Sequence, residues 1–487
     1  MNNIHNKVVK IISENMEIDY LEPYKNKSNK ISTGSGFFID NKGTIITCSH
    51  CVINSNKVYI EIPFEGLERF EVKVVFVCPE FDIAVLKTIS YKNKYYLKLL
   101  PYDQFYKLNL NDKVVAIGFP LGFTNLKFTQ GIISGRHNGL LQTSAALNPG
   151  NSGGPLIPKN YVIGINASKI LNTSNIGFAI PILNYYTIKN NKSKLITLPD
   201  IPFEFIKINQ PYLSLNNINF SNGILVRDID KNSDIFKKGI RKRDLILDIN
   251  GYNIDRKGLV SKRWFNEKIS LNDLFKTFKY GEKIRISYYS NTKKEKNKIE
   301  ISNNYFNKNL VKKYHLYEKI DYEIFAGIIV SELNLDNYKD IILRKGYLLN
   351  NSNKDINIEF NDNNTKFINL FSSIEKTIII THLIPNSVTM RYNILSIGDV
   401  IVKVNNIKVN NINNYRNALK KFIKNKRNEK FIKIETSSNK ILILKLDDII
   451  KDENNVMFQN KYPKSETTKF YEKKNKTKKI KKINIKE

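Results

Sequence analysis

The stretch that most constrains this chain is residues 148–156, which read Asn-Pro-Gly-Asn-Ser-Gly-Gly-Pro-Leu. Ser152 lies among three glycines and two prolines in this stretch. Glycine reaches backbone conformations that other residues avoid, so such a turn can expose a serine hydroxyl. The same turn can direct backbone N–H groups into one concavity, as an oxyanion hole requires. If Ser152 is a nucleophile, the chain must also supply a base and a group that orients it.

Short β-rich runs separated by turns follow one another up to residue 180. The first two, at 34–40 and 44–47, flank an Asp-Asn-Lys-Gly turn and predict a hairpin. Runs of the same kind recur at residues 57–62, 70–77, 83–86, 113–117, 128–134, 141–145, 162–165 and 176–179. Because no long helical periodicity interrupts them, the pattern predicts an all-β sandwich or barrel.

A histidine and an aspartate precede Ser152 in an informative order. His50 ends the first hairpin and Asp82 comes just before an apolar run, and the order His50, Asp82, Ser152 is that of chymotrypsin-like enzymes. We therefore predict that His50 is the base, that Asp82 orients it, and that the N–H groups of Gly150 and Ser152 form the oxyanion hole. Taken alone, Ser152 is also compatible with a structural turn, and His50 with a buried structural histidine.

Residues 31–185 resemble the protease domain of the HtrA/Deg family of serine proteases. The resemblance rests on ordered motifs at residues 34–37, around His50, and at 82–87, 118–122, 130–134, 142–156 and 176–181. It implies a mainly β protein with a chymotrypsin-like double β-barrel, cleavage of unfolded or exposed chains, and no cofactor. Two departures are visible: Ser144 stands where the family usually has aspartate, and Cys48 and Cys51 flank the base.

Two later regions resemble PDZ domains, which implies two PDZ-like α+β domains at 205–303 and 304–450. Residues 258–269 resemble the insertion of plant-type Deg proteases, and residues 399–405 repeat the pattern of 244–250. A PDZ groove binds a peptide by strand addition. The candidate peptide-binding loop comprises Leu213, Ser214 and Leu215. An Asn/Asp-rich insertion at about 336–373 is expected to be a mobile loop.

The two ends of the chain carry no predicted chemistry. Residues 1–30 are an N-terminal segment, followed by the protease domain at 31–196. Residues 451–487 are expected to be a basic, disordered tail, because 464–487 hold ten lysines against three glutamates. The formal net charge of +32 fits either compositional drift or affinity for a polyanion. Nucleic acid binding through the tail is thus an alternative, but it is not favoured.

The cysteines and the hydropathy pattern predict the cellular location of the protein. Three cysteines cannot form a disulfide framework, which favours a reducing environment. No signal peptide is apparent, and no apolar run approaches the roughly 20 residues that span a bilayer. We expect an intracellular protein, cytoplasmic or nuclear.

Cys48 and Cys51 form half of a zinc-binding pattern. A structural site needs four ligands, only Cys78 remains, and recruiting His50 would remove the base. We therefore expect no metal. The two cysteines are interpreted either as thiols whose oxidation disables the base or as small packed residues.

The resemblance also implies a substrate pocket, formed by Leu147, Ala167 and Ser168, that favours small or medium aliphatic P1 residues. We predict an ATP-independent serine endopeptidase that cleaves unfolded or regulatory proteins and assembles as a homo-oligomer, a trimer or a multiple of one. The alternative is a protease-like chaperone or scaffold protein with a latent active site.

Overall fold

The computed structural model describes residues 3–25, 30–66, 68–167, 176–199, 201–231, 233–264, 267–304, 312–350 and 377–483. The chain forms two compact units, residues 1–15 with 29–307, and residues 16–28 with 308–487. Within the described residues, no helix is long and apolar enough to cross a membrane.

The first unit begins with two closed six-stranded antiparallel barrels, as in a chymotrypsin-like fold. The first barrel has the strand order β1-β2-β3-β6-β5-β4, with β1 (Val8–Asn15), β2 (Lys30–Phe38), β3 (Thr44–Cys48), β4 (Ser55–Glu61), β5 (Arg69–Cys78) and β6 (Ile83–Thr88). The second has the order β10-β14-β13-β11-β8-β9, with β8 (Lys113–Gly118), β9 (Lys127–His137), β10 (Leu140–Thr143), β11 (Pro155–Ile157), β13 (Gly164–Ala167) and β14 (Gly177–Pro181). Two short parallel strands, β7 (Lys98–Leu99) and β12 (Tyr161–Val162), pair beside them. The predicted mainly β fold with a chymotrypsin-like double β-barrel is confirmed.

The first hairpin shows why the sequence folds in this way locally. The Asp40 carboxylate accepts hydrogen bonds from the N–H groups of Lys42 and Thr44 at 2.8 and 3.0 Å. Gly43 adopts φ +80°, which glycine reaches without steric cost. The turn sets Phe37 opposite Ile46, and both side chains are fully buried in the barrel.

A second sheet follows the helix α1 (Ile182–Ile188) in the first unit. Its strands run in the order β15-β16-β17-β21-β22, and β18 pairs with β17. The strands are β15 (Phe203–Ile206), β16 (Ile224–Ile229), β17 (Leu245–Ile249), β18 (Tyr252–Asn253), β21 (Lys283–Ser290) and β22 (Glu295–Ser302). The helices are α2 (Gln210–Leu215), α3 (Asp234–Lys237) and α4 (Leu271–Lys276).

A two-stranded hairpin, β19 (Leu259–Trp264) and β20 (Glu267–Ser270), packs against the second barrel. The Trp264 ring lies 5.7 Å from that of Phe105 and 5.8 Å from the Arg136 guanidinium. Arg136 also pairs with Glu267 at 3.3 Å. The segment 258–269, singled out in the sequence, thus joins the second sheet to the barrel.

The second unit is an eight-stranded sheet with helices. The strand order is β23-β24-β25-β26-β29-β28, while β27 pairs with β26 and β30 with β29. The strands are β23 (Tyr322–Phe325), β24 (Ile328–Glu332), β25 (Ile378–Leu383), β26 (Val400–Val404), β27 (Ile407–Lys408), β28 (Ile423–Lys424), β29 (Lys430–Thr436) and β30 (Ile441–Lys445). The helices are α5 (Leu335–Asn350), α6 (Val388–Tyr392), α7 (Ile412–Leu419), α8 (Leu446–Asn460) and α9 (Glu466–Ile483).

The expectation of a disordered tail is wrong for its described part. Residues 466–483 form α9, and Tyr471 is buried against the core of the second unit. The Tyr471 ring stacks on Phe325 at 5.8 Å, and its hydroxyl donates to the Leu419 carbonyl at 2.7 Å. The high lysine content of this segment favoured disorder in the sequence analysis, although Phe470 and Tyr471 pack against the core.

Two further local expectations differ from the structure. Residues 335–350, expected to open a mobile loop, form α5, and the rest of that insertion, 351–376, lies outside the described residues. The candidate peptide-binding loop Leu213, Ser214 and Leu215 lies in α2. Asn209 caps this helix, its carboxamide oxygen accepting from the Tyr212 N–H at 3.0 Å, as an N-cap residue does.

Candidate active site

His50 and Asp82 are brought together at one end of the first barrel. His50 lies in the single helical turn Ser49–Cys51 that follows β3, and Asp82 directly precedes β6, which pairs with β3. The His50 Nδ1 atom lies 2.7 Å from Asp82 Oδ2, and the His50 backbone N–H donates to Oδ1 at 2.9 Å. The carboxylate therefore fixes both the ring and the backbone of His50.

The backbone of Asp82 is itself held in an unusual conformation. Its φ of +56° is in the left-handed region, which non-glycine residues seldom adopt. The Ser49 N–H donates to the Asp82 carbonyl at 3.0 Å, and the Asp82 N–H donates to the Pro79 carbonyl at 3.1 Å. These contacts hold the conformation that turns the carboxylate toward His50.

Ser152 lies in the loop between β10 and β11, among close backbone contacts. Gly153 adopts φ +88°, and a Cβ there would lie 2.1 Å from the Ser35 carbonyl oxygen. Gly150 adopts φ +98°, and a Cβ there would lie 2.3 Å from the Phe119 carbonyl oxygen. Both positions therefore require glycine, and the loop is fixed against both barrels.

Ser35 on β2 ties this loop to the first barrel. Its N–H donates to the Ser152 carbonyl at 2.8 Å. Its hydroxyl donates to the Gly150 carbonyl at 2.6 Å and accepts from the Phe119 N–H at 2.9 Å. Sequence reasoning did not single out this residue, because a serine between two glycines in a strand looks like an ordinary strand position.

Asn166 on β13 is a second residue that holds this loop in place. Its carbonyl accepts from the Gly153 N–H at 2.8 Å, and its own N–H donates to the Gly154 carbonyl at 2.7 Å. The buried Asn166 carboxamide donates to the carbonyls of Ile117 and Pro155, both at 3.2 Å. It holds the glycines that follow Ser152.

The Cys51 thiol lies between the base and the serine loop. It contacts the His50 side chain and lies 3.7 Å from the Ser152 carbonyl oxygen. Burial lowers the pKa of His50, but hydrogen bonds with Asp82 and Cys51 raise it, and the balance is a pKa of about 10, above the ordinary 6.5. The imidazolium form is thus favoured by its neighbours.

A second thiol, that of Cys48, lies close to His50 and Asp82. Its Sγ donates to the Asn166 carbonyl at 3.3 Å. One ligand atom from each of Cys48, His50 and Asp82 lies within 4.8 Å of the other two. Cys48, Cys51 and Cys78 are in the thiol form and are not joined by disulfide bonds.

Part of the predicted substrate pocket can be located. Leu147 is half-buried and packs close to Gly177, where an added Cβ would lie 2.9 Å from Leu147 Cδ1. Ala167 is buried and pairs with Phe178. Ser168 lies outside the described residues. The Ser144 hydroxyl accepts from the Ile132 N–H at 3.0 Å, which ties the segment before Ser152 to β9.

Comparison with known proteins identifies relatives of the barrels. Residues 34–165 match the trypsin-like peptidase domain family. The protein described as protease Do-like 13 of Arabidopsis thaliana is 28% identical over 350 residues, which are 69% of this chain and 70% of that protein. Protease Do-like 4, mitochondrial, of the same plant is 28% identical over 347 residues, 66% of this chain and 64% of that protein.

A bacterial relative matches a shorter part of this chain. The Chlamydia trachomatis protein named "Probable periplasmic serine endoprotease DegP-like" is 31% identical over 240 residues, 46% of this chain and 46% of that protein. The chain thus spans from about half to 70% of the length of these relatives. Their names place them in the mitochondrion or the periplasm, so they do not support the predicted cytoplasmic or nuclear location.

Proposed function

We propose that the chain is a serine endopeptidase of the HtrA/Deg family that uses Ser152 as nucleophile, His50 as base and Asp82 as the orienting acid. The observation that carries the proposal is the contact between His50 Nδ1 and Asp82 Oδ2 at 2.7 Å, in a barrel to which Ser35 ties the Ser152 loop. No cofactor is needed for this chemistry.

In the proposed reaction His50 accepts the Ser152 proton as the hydroxyl attacks the scissile carbonyl, and it later gives that proton to the leaving amine. Asp82 holds the Nδ1–H tautomer and stabilises the imidazolium. The N–H groups of Gly150 and Ser152 stabilise the oxyanion. The fixed positions of Gly150 and Gly153 support this role, because a preorganised donor needs no rearrangement during the reaction.

Labelling with a fluorophosphonate probe tests the proposal directly. We expect wild-type protein to be labelled at Ser152, and Ser152→Ala to lose labelling and about 10⁶-fold of its turnover on a casein-like substrate. Binding of the unfolded substrate should persist in the variant. Wild-type protein that is never labelled in any oligomeric state would instead be a latent scaffold or chaperone.

The described pocket residues support a preference for small or medium aliphatic P1 residues. Leu147 and Ala167 present apolar groups, and Leu147 packs closely on Gly177. A peptide-library digest measures this preference, and dominant cleavage after lysine or arginine contradicts it.

We further propose that the sheet of the first unit acts as a PDZ-like module that takes a peptide on β15. Strand addition needs an edge strand, and Phe203–Ile206 is at the edge of its sheet. In the second unit, by contrast, the edge strand β23 is covered. Arg416 of α7 donates to the Tyr322 carbonyl at 2.7 Å, and α9 packs on the same strand. Peptide binding is therefore assigned to β15 rather than to β23 or to Leu213–Leu215.

The protease is proposed to act on unfolded or regulatory proteins as a homo-oligomer. This follows the family, and sedimentation of Ser152→Ala protein measures it, with a monomer at all concentrations as the contrary outcome. The three cysteines, none of them in a disulfide, support a reducing compartment.

A further inference from the structure

We propose that the active site also binds a zinc ion through Cys48, His50 and Asp82, and that this ion switches the protease off reversibly. The inference rests on the proposed function, since the zinc ligands include its base and its orienting acid. Its basis is the cluster of one thiol, one imidazole and one carboxylate whose ligand atoms lie within 4.8 Å of one another.

The three ligand types fit zinc better than a hard cation. Thiolate and imidazole bind Zn²⁺ and related soft or borderline ions, whereas Mg²⁺ and Ca²⁺ prefer oxygen ligands alone. Zinc bonds are about 2.3 Å to sulfur and about 2.0–2.2 Å to nitrogen or oxygen. In a tetrahedral site the ligand atoms are therefore roughly 3.3–3.8 Å apart. The present separations, from 2.7 Å for His50 Nδ1 and Asp82 Oδ2 up to 4.8 Å, bracket that range.

The site can be reached from solvent on one side. The His50 side chain is 32% exposed and that of Asp82 is 19% exposed, while Cys48 is fully buried beneath them. An ion thus approaches the imidazole and carboxylate first and meets the thiol behind them. A water molecule on the exposed side completes four ligands, which is the common arrangement when three come from the protein.

The buried wall of the site is already fixed. Cys48 Sγ donates to the Asn166 carbonyl at 3.3 Å, and that carbonyl also accepts from the Gly153 N–H. The Asp82 carboxylate keeps the His50 backbone N–H as a partner at 2.9 Å. Zinc binding therefore displaces two contacts, the one between Asp82 Oδ2 and His50 Nδ1 and the hydrogen bond from the Cys48 thiol to the Asn166 carbonyl.

The chemistry explains the inhibition. The Cys48 thiol proton is released to water, and the resulting thiolate forms a bond to zinc. Zinc takes the place of the proton on His50 Nδ1. From the imidazolium that proton is released to water, and from the neutral Nδ1–H tautomer it moves to Nε2, so the zinc-bound ring is neutral and carries its one proton on Nε2. A ring that carries a proton on Nε2 cannot accept one from Ser152. Metal binding thus removes the base. The same residues therefore do not fit a structural zinc site, because a permanently bound ion would abolish catalysis.

Two variants separate this site from other zinc-binding positions. Under a phosphine reductant, ZnCl₂ is titrated against casein-like hydrolysis and against fluorophosphonate labelling, with each protein normalised to its own rate without metal. We expect wild-type protein to lose activity and to regain it with a chelator. In Cys48→Ala the inhibitory zinc concentration should rise at least about tenfold, because a direct ligand is lost. Cys78→Ala, which removes the third thiol, should keep the wild-type value within about twofold.

Direct binding is measured without any need for catalysis. Ser152→Ala protein should bind about one zinc more per chain than the same protein carrying Cys48→Ser as well. With Co²⁺ in place of zinc, a thiolate-to-cobalt absorption band should appear in Ser152→Ala and be lost with Cys48→Ser.

The outcomes distinguish the two proposals. Absence of labelling before zinc is added contradicts the proposed function. Labelling that zinc leaves unchanged, or inhibition that is equal in wild-type and Cys48→Ala protein, overturns the zinc site and leaves the protease intact. Equal zinc binding with and without Cys48→Ser overturns it as well, whichever variant proves active.

Discussion

At the scale of single residues, the loop of the proposed nucleophile is held by a second serine, Ser35. Ser35 makes hydrogen bonds to Ser152, Gly150 and Phe119, and these bonds span 84 to 117 residues of chain. The contact between His50 and Asp82 could be predicted, because their motifs resemble those of a known family, and the role of Ser152 stays a prediction. The contacts of Ser35 could not be predicted, because its partners are distant in sequence and the glycines on either side of it indicate close packing without naming the partner.

Replacing Ser35 should impair positioning rather than binding. Ser35→Ala removes the hydroxyl that donates to the Gly150 carbonyl, so the loop that carries the oxyanion donors loses one anchor. We expect kcat to fall by about tenfold to a hundredfold with little change in KM. Ser32→Ala, on the same strand but bonded to Asn15, is the matched control. Equal effects of the two variants on kcat would mean that the hydroxyl of Ser35 has no special role.

The Cys51 thiol should influence the pH dependence of the reaction. The base must be neutral to accept a proton, so its raised pKa moves the acid limb of the rate profile to higher pH. Cys51→Ala removes one of the contacts that raise the His50 pKa, and the acid limb of kcat/KM should therefore move to lower pH. Cys78→Ala should leave the limb in place. A limb that moves upward in Cys51→Ala, or not at all, contradicts the assignment.

At the scale of elements, the helices near the C-terminus are the part that sequence reasoning misjudged. Lysine dominates α9, but Thr467 and Tyr471 are buried and the backbone N–H of Thr467 donates to the Glu323 carboxylate at 3.1 Å.

The sequence signal for the start of helix α2 was present but was missed. Asn209 followed by a proline two residues later is a helix start, whereas a PDZ-like loop was expected there by resemblance.

Glu453 of α8 makes this region sensitive to pH. Its carboxylate accepts from the Ala326 N–H at 3.1 Å and from the hydroxyls of Tyr462 and Thr468 at 3.2 and 3.4 Å. Burial nevertheless raises its pKa from 4.5 to about 7. A group whose pKa is raised by folding stabilises the fold below its unfolded value, and this contribution is lost as the pH rises through about 7.

We therefore expect the second unit to be up to about 3 kcal/mol more stable at pH 4.5 than at pH 8.5 through this one group. Glu453→Gln should remove that share of the pH dependence. Glu472→Gln, which affects a surface pair with Lys464, is the control. Chemical denaturation of Ser152→Ala protein at several pH values measures it, and parallel pH curves for wild type and Glu453→Gln contradict it.

At the scale of the whole molecule, the chain consists of two compact units, each with its own hydrophobic clusters. The barrels could be predicted because alternation and turns recur at short range. The division into two units could not be predicted, because residues 16–28 belong to the second unit although the segments on both sides of them are strands of the first barrel. A chain that passes from one unit to the other and back leaves no local pattern in the sequence.

The two units should unfold as two calorimetric transitions. Tyr471→Ala removes a buried ring and its hydrogen bond to the Leu419 carbonyl, which costs about 3 kcal/mol or more. The variant should lower the midpoint of one transition and leave the other unchanged. Lys473→Ala, at an exposed position of the same helix, should move neither. A single transition that shifts as a whole in Tyr471→Ala would show that the units are not independent. Both variants carry Ser152→Ala to prevent self-digestion.

The bond between Ser35 and the Ser152 carbonyl also has a consequence for synthesis. A ribosome releases the strand that holds Ser35, and the His50 and Asp82 pair, long before it releases the second barrel that carries Ser152 and ends at Pro181. The nascent first barrel therefore contains the proposed acid and base but not the proposed nucleophile. With these roles, we expect peptide bond cleavage only after the last barrel strand has closed, so that the nascent chain is protected from its own activity during synthesis.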